Sequence, residues 1–336
     1  MLRRFTLLVC LVALCASVAT AQTMLNGAGA TFPYPIYSKW FNEYHKIHPE
    51  VSINYQSIGS GGGIRQVLAG TVDFGASDGP MTDEQLGQAK VKILHIPTVL
   101  GSVVPAYNLP SVKGELKFTG PILANIFLGK ITTWNDPAIA KANPGVSLPG
   151  DRIVVVHRSD GSGTSYVFTD YLSKVSPEWK GGPGKGTSVK WPVGLGAKGN
   201  EGVAGMVRQM PGSIGYVELI YALQNNINYG SVQNAAGSFV KASLDSTTAA
   251  AASVRQMPAD FRVSITNAPG KEAYPISTFT WLLIPSHASD QGKQKILVDF
   301  LSWMVDQGQR QVTQLSYAPL PTNIAEKVRA TIKSIR

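Results

Sequence analysis

A glycine-broken segment, RSDGSGT at residues 158–164, joins a strand-like run to a helix-like run. Residues 153–157 are apolar and mostly β-branched, and residues 164–174 carry apolar and aromatic side chains at helical spacing. The free backbone N–H groups at such a helix start lie at the carboxyl end of a sheet, where the helix dipole adds about half a positive charge. The segment therefore predicts an anion site.

The side chains of this segment suit an oxyanion. Arg158 offers a planar set of donors, and Asp160 can hold that guanidinium in place. Ser162 and Thr164 add hydroxyls, while Gly163 lets the backbone approach a ligand closely. The segment contains the groups needed to bind an anion.

Two further glycine loops precede predicted helices. They are GAGATFP at residues 27–33 and SIGSGGG at residues 57–63, the second of which follows an alternating strand pattern over 51–55. Strands alternating with helices along the chain predict α/β domains with largely parallel sheets. A single glycine loop is more often a tight turn than an anion site, but three such loops in one chain favour a common cradle.

Residues 93–99 and 103–107 each have the pattern of a buried strand. The short segment between them is rich in small residues, and we expect the chain to change domain there. We predict the two crossings between domains near residues 97–101 and 271–276.

The first 21 residues have the pattern of a cleaved signal peptide: two arginines, an apolar run over 5–18 and a final Ala-Thr-Ala. A membrane anchor would need about 20 unbroken apolar residues. Cys10 and Cys15, the two cysteines of the chain, lie in this segment, so the mature protein is predicted to have no disulfide or cysteine metal site. Leu14 is not the small residue that lipid attachment at Cys15 would need, so we expect a free periplasmic protein.

The mature chain is long enough for two domains and a sizeable core. The formal charge is +9 and falls to +7 without Arg3 and Arg4. In an exported protein this charge argues against nucleic acid and mildly for an anionic ligand, although a solvated basic surface explains most of the 30 lysines and arginines equally well.

Sequence patterns for catalysis are weaker than the patterns for anion binding. The five histidines are scattered without the spacing of metal ligands. No sequence pattern indicates which histidine would act as the general base for a Ser162 nucleophile. No Walker lysine follows the glycine loops. We therefore predict a binding protein without enzymatic activity, cofactor or metal, and keep a secreted phosphatase as the alternative from another class.

Four segments together resemble the periplasmic phosphate-binding protein family of the phosphate-specific ABC importer: residues 27–33, 59–63, 72–78 and 158–165. The resemblance extends over essentially the whole mature chain. It implies a two-lobed periplasmic-binding-protein clamshell of type II, in which each lobe is a mainly parallel α/β sheet flanked by helices and the ligand lies in the interlobe cleft. The implied lobes are residues 22–99 plus 273–336 and residues 100–272.

The resemblance also implies one bound inorganic phosphate. By matching positions, its ligands are Thr31, Phe32 (through its backbone N–H), Ser60, Asp78, Arg158, Ser162, Gly163 and Thr164. Asp160 is implied as the carboxylate that holds Arg158. The implied partners are a permease of two transmembrane subunits and two ATP-binding subunits, and the free protein is expected to be a monomer.

Asp78 is the informative member of this set. A carboxylate repels an anion unless the ligand carries a proton that it can accept, as phosphate does at neutral pH and sulfate does not. The alternatives are a receptor for sulfate, molybdate or tungstate, or a simple helix-capping role for Asp78. His157, just before Arg158, is a possible second basic group at the cleft rim.

Overall fold

The computed structural model describes residues 22–254 and 256–335. The signal peptide predicted for residues 1–21 lies outside the described residues. Within them, no helix is both long enough and apolar enough to cross a bilayer.

The described strands fall into two sheets, a large one and a small one. They are β1 Thr23–Gly29, β2 Val51–Ser57, β3 Phe74–Ser77, β4 Ile93–Tyr107, β5 Lys117–Phe118, β6 Val154–Arg158, β7 Leu195–Ala197, β8 Ser213–Glu218, β9 Asn228–Tyr229, β10 Ser231–Gln233, β11 Phe239–Val240 and β12 Ser277–Pro285. The small sheet has the order β11-β10-β5.

Helices follow most of the strands, as the alternating pattern predicts. They are α1 Tyr34–Ile47, α2 Ser60–Ala69, α3 Asp83–Gly87, α4 Gly120–Phe127, α5 Pro137–Ala142, α6 Gly163–Val175, α7 Pro177–Gly181, α8 Gly199–Gln209, α9 Leu219–Gln224, α10 Leu244–Ala252, α11 Gln291–Asp306 and α12 Thr322–Ile332, with a 3-10 helix at Gly308–Leu315.

The large sheet has the order β2-β1-β3-β12-β4-β8-β6-β7, and β9 also pairs with β4. At one end β1 is parallel to both β2 and β3, and at the other end β6 is parallel to both β7 and β8. β12 and β8 are antiparallel to β4. The molecule therefore has two α/β lobes, each with a parallel set of strands, and β4 belongs to both.

β4 is one continuous strand of 15 residues, so the prediction of two strands separated by a break is wrong. From Ile93 to Ser102 it pairs with β12, and from Val103 to Tyr107 it pairs with β8. The small residues at its middle are needed for packing, because a Cβ on Gly101 would lie 2.6 Å from the ring of Phe32. The change of partner marks the passage from one lobe to the other.

Each lobe has its own aromatic core. In the first, Phe41 and Tyr44 on the buried face of α1 pack on Phe300 of α11 with ring centroids 5.5 and 5.3 Å apart. In the second, Phe168 of α6 stacks on Tyr216 of β8 at 4.4 Å. Burial of such large rings stabilises both lobes and fixes the helix starts relative to the strands.

Candidate functional site

The first wall of the site consists of Thr31, Phe32, Ser60 and Asp78, which follow the carboxyl ends of β1, β2 and β3. All four are buried. Ser60 is the first residue of α2, and Gly59 before it has φ of 87°, a conformation that favours glycine. A Cβ at Gly59 would also lie 2.6 Å from the carbonyl oxygen of Gly161, so this turn allows the two lobes to approach closely.

Asp78 is 1% exposed, and its hydrogen bonds within the described part of the chain are to residues of the first lobe. Thr280 of β12 donates to its Oδ1 at 2.8 Å, and Ser60 Oγ lies 3.5 Å from its Oδ2. Burial raises the pKa of Asp78 to about 7, although these hydroxyls and the charge of Arg158 act in the opposite direction. The carboxyl group can therefore gain or lose a proton near neutral pH.

The second wall consists of Arg158, Asp160, Ser162, Gly163 and Thr164, from the end of β6 to the first turn of α6. Arg158 Nε and Nη2 donate to the two carboxylate oxygens of Asp160 at 2.7 and 2.5 Å, and Nη1 lies 3.3 Å from Thr164 Oγ1. A guanidinium has five N–H donors, and these three hydrogen bonds use three of them. The other two N–H groups, one on each terminal nitrogen, have no acceptor within the described part of the chain. They form a pair suited to a tetrahedral anion.

Asp160 is held as a carboxylate. Burial favours its neutral form, but hydrogen bonds from Arg158, the Arg158 charge and the N–H of Gly199 hold its pKa below the usual value. The ion pair is nearly dry, with the Arg158 side chain 1% and the Asp160 side chain 12% exposed. Removal of either partner would leave an uncompensated buried charge.

The start of α6 is fixed by local hydrogen bonds. Ser162 is its N-cap and accepts from the backbone N–H of Ser165 at 3.0 Å. The Tyr216 hydroxyl accepts from the Arg158 backbone N–H at 3.0 Å and lies 2.6 Å from Ser165 Oγ, which ties the helix start to the end of β6. The free N–H groups of the first turn therefore have a rigid direction.

The two walls face each other in close contact. A Cβ on Gly163 would overlap Ser60 Oγ and lie 2.5 Å from Asp78 Oδ2. The Gly61 backbone N–H donates to the Gly161 carbonyl at 2.8 Å. The structure thus brings together the predicted residues from both lobes, and Phe32 joins them as the neighbour of Thr31. Their assignment as ligands stays a prediction.

Two residues in this group were missed by the sequence analysis. Asn200, at the start of α8, donates to hydroxyls of both walls, and Thr280 donates to Asp78. Asn200 is the second residue of α8 and follows a glycine-rich and lysine-rich segment of the sequence. A signal for it exists in Gly199-Asn200, a glycine and a polar residue directly before a helical pattern.

His157 is half-buried, and its ring stacks on Trp191 at 4.9 Å. Its Nδ1 lies 3.0 Å from the carbonyl oxygen of Arg158. These contacts fix the ring beside β6 and do not join it to the side chains of either wall.

The arrangement has the chemistry of an anion receptor. It combines one cation, several hydroxyls, a helix start and a single carboxyl group on the opposite wall. In the part of the chain that the structure describes, no three His, Cys, Asp or Glu side chains form a group suited to a metal.

The chain is similar in sequence to known phosphate-binding proteins. Residues 16–307 match the model of the PBP superfamily domain. The phosphate-binding protein PstS of Xylella fastidiosa strain Temecula1 is 50% identical over 93% of this chain and 85% of its own length, and PstS of Pasteurella multocida is 48% identical over 99% of this chain and 96% of its own length.

Solved structures share the fold. A high-affinity periplasmic phosphate-binding protein bound with phosphate, PfluDING, has a TM-score of 0.73 at 21% identity, covering 92% of this chain and 93% of its own. A putative phosphate ABC transporter substrate-binding protein from Clostridium perfringens has a TM-score of 0.65 at 18% identity, covering 89% of this chain and all of its own.

Proposed function

The chain belongs to the PBP superfamily and, within it, to the PstS family of phosphate-binding proteins, and we propose that it is the substrate-binding component of an ABC importer for inorganic phosphate. The observation that carries the proposal is the buried pair of Arg158 and Asp78 on opposite walls of one donor-lined site. A cation and helix N–H groups attract an anion, and a facing carboxyl group accepts only an anion that can share a proton with it.

We propose that phosphate binds to Thr31, the Phe32 N–H, Ser60, Asp78, Arg158, Ser162, Gly163 and Thr164, with Asp160 holding Arg158. Support comes from the two unengaged donors of Arg158 and from the N–H groups at the start of α6. At a pH above about 7 the Asp78 carboxylate needs a proton from the ligand. Hydrogen phosphate supplies one, whereas sulfate leaves two negatively charged oxygens in contact, which costs several kcal/mol in a dry site.

The proposed lobes are residues 22–99 plus 273–336 and residues 100–272, with crossings near 97–101 and 271–276. The change of pairing along β4 supports the first crossing. For the second, the Tyr274 hydroxyl donates to the Val103 carbonyl at 2.9 Å, close to that change of pairing. Ligand contacts from both walls would favour the closed arrangement over an open one.

The proposed setting is the periplasm, reached by a signal peptide that is removed, without a lipid anchor. The proposed partners are a permease of two transmembrane subunits and two ATP-binding subunits, and the free protein is proposed to be a monomer without cofactor, metal or catalytic activity. The names of the relatives and solved structures support a role in binding phosphate, and one of them describes a phosphate ABC transporter substrate-binding protein.

The proposal is tested by titrating the mature protein with phosphate and with sulfate at pH 8 and constant ionic strength, with intrinsic fluorescence as the readout. We expect tight binding of phosphate, weak binding of sulfate and compaction in solution scattering on adding phosphate. Tighter binding of sulfate, molybdate or tungstate would instead make this a receptor for another oxyanion. Turnover of an aryl phosphate would indicate a phosphatase.

The variant Asp78→Asn tests the source of the discrimination. An amide can turn a donor toward sulfate, so the repulsion is relieved while phosphate can still be held. We expect the ratio of phosphate to sulfate affinity to fall by about tenfold or more, mainly through a gain in sulfate binding. An unchanged ratio would make Asp78 a structural residue.

A further inference from the structure

We propose that Asn200 is a positioning residue that forces the hydroxyls of Thr31 and Thr164 to donate their hydrogens to the bound anion. The inference rests on the proposed function, because it concerns the same site. Asn200 lies outside the predicted ligand set, and its hydrogen bonds fix the direction of two hydroxyl groups in the site.

Asn200 is fully buried between the two walls. Its backbone N–H and its Nδ2 donate to Thr31 Oγ1 at 3.2 and 2.8 Å, and Nδ2 also donates to Thr164 Oγ1 at 3.0 Å. Thr31 belongs to the first wall and Thr164 to the second. One amide group therefore connects hydroxyls of both lobes.

The orientation of this amide is fixed by the protein. The backbone N–H of Glu218 donates to Asn200 Oδ1 at 2.9 Å. Exchange of the oxygen and nitrogen would bring two donors together at that point, so the amide group must direct Nδ2 toward the threonines. Both hydrogens of Nδ2 are then engaged.

The threonine hydroxyls have no acceptor capacity left. A hydroxyl oxygen has two lone pairs and one hydrogen. Thr31 Oγ1 accepts both from the Asn200 backbone and from its side chain, and Thr164 Oγ1 accepts from Asn200 and from Arg158 Nη1 at 3.3 Å. Each hydroxyl can only donate to a further partner.

The threonines and Asp78 therefore recognise different features of the ligand. With both threonines restricted to donation, neither competes with Asp78 as an acceptor for a proton of the ligand. A ligand with several acceptor oxygens and one proton then satisfies these three side chains. Hydroxyls free to rotate could also accept, which would weaken the preference for an anion.

The experiment is a mutant cycle on phosphate affinity in the mature protein. Asn200→Ala should weaken binding about tenfold or more in the parent background, because two hydrogen bonds to a charged ligand lose their fixed direction. In the background Thr31→Val with Thr164→Val, the same change should have little effect, since no hydroxyls remain to be directed. Asn200→Ser, which is too short to reach both threonines, provides a second variant if the alanine protein does not fold.

The control is Asn143→Ala. Asn143 is also buried, but the hydrogen bonds of its side chain to other described residues go to backbone groups of Lys117 and Ile139. It should lower thermal stability and leave phosphate affinity unchanged. Equal losses from Asn200→Ala in both backgrounds would overturn the inference while the proposed function stands. Absence of phosphate binding in the parent would overturn the proposed function itself.

Discussion

The two walls of the site differ in charge and in how they are built. The second wall carries the cation, and its guanidinium is held by a carboxylate two residues away in the same loop. The first wall carries the carboxyl group Asp78, whose partner Thr280 lies 202 positions away in β12. One wall is assembled locally, and the other depends on the completed lobe.

This difference separates affinity from discrimination. Arg158 attracts any small anion, because a positive charge and helix N–H groups do not distinguish phosphate from sulfate. Asp78 accepts a hydrogen bond from a ligand that carries a proton and rejects ligands that lack one. Loss of Arg158 should therefore change all anion affinities together, and loss of the Asp78 charge should change their ratio.

Arg158→Ala should have the largest effect. It removes the charge-assisted contacts of the second wall and leaves Asp160 without its partner, so we expect phosphate affinity to fall by about a hundredfold or more, with sulfate falling in parallel. Calorimetric titration measures both ligands. Arg152→Ala removes an equal charge from an exposed position and should have little effect. Full affinity in a folded Arg158→Ala protein would show that the second wall does not contact the ligand.

Gly163→Ala should have a smaller effect through the fit between the walls. The added Cβ would overlap Ser60 Oγ and Asp78 Oδ2, both of which belong to the opposite wall. Overpacking at the lower end of its usual cost, about 1–2 kcal/mol, corresponds to roughly a fivefold to thirtyfold loss of phosphate affinity. In Gly205→Ala, the control, the new methyl group meets no atom within 4 Å in α8. Equal affinity in the two variants would mean that the walls do not meet this closely when the ligand binds.

The stability of the ligand-free protein should depend on pH through Asp78 of the first wall. Because the folded pKa of Asp78 is raised to about 7 from 3.8, folding takes up a proton as the pH falls through 7. Its contribution to stability is complete below pH 3.8 and is lost as the pH rises through 7. From pH 8 to pH 6, the ligand-free parent should gain about 1 kcal/mol of unfolding free energy relative to Asp78→Asn.

Urea denaturation of the parent and of Asp78→Asn at both pH values gives this difference, and other titrating groups cancel in the comparison. A parent that loses stability relative to the variant between pH 8 and pH 6 would contradict the raised pKa.

Much of the second wall could be predicted from the sequence, because its parts are local. The strand-like run before Arg158 and the helical pattern after Thr164 correspond to β6 and α6 within one or two residues. Charge, hydroxyls and glycines in one loop identify an anion site without knowledge of distant residues. The PstS family and the two-lobed fold were also predicted and are confirmed.

The parts of the site and fold that depend on contacts between residues far apart in the sequence could not be predicted. Asn200 contacts Thr31 across 169 positions, and no local pattern indicates which hydroxyl a buried amide will meet. The break predicted in β4 was wrong because small residues such as Gly101 and Ser102 resemble a loop in sequence. In the structure they lie in the buried middle of a continuous strand, where close packing requires their size.

The position of β12 in the large sheet has a consequence for the order of folding. It lies between β3 and β4, yet it begins 170 positions after β4 ends. Until the chain is synthesised past residue 285, the facing edges of β3 and β4 have no partner, and the lobe built around them cannot close. The second lobe is nearly continuous in sequence and can form earlier. We therefore expect closure of the first lobe to be slow and to be the stage at which an incomplete chain aggregates.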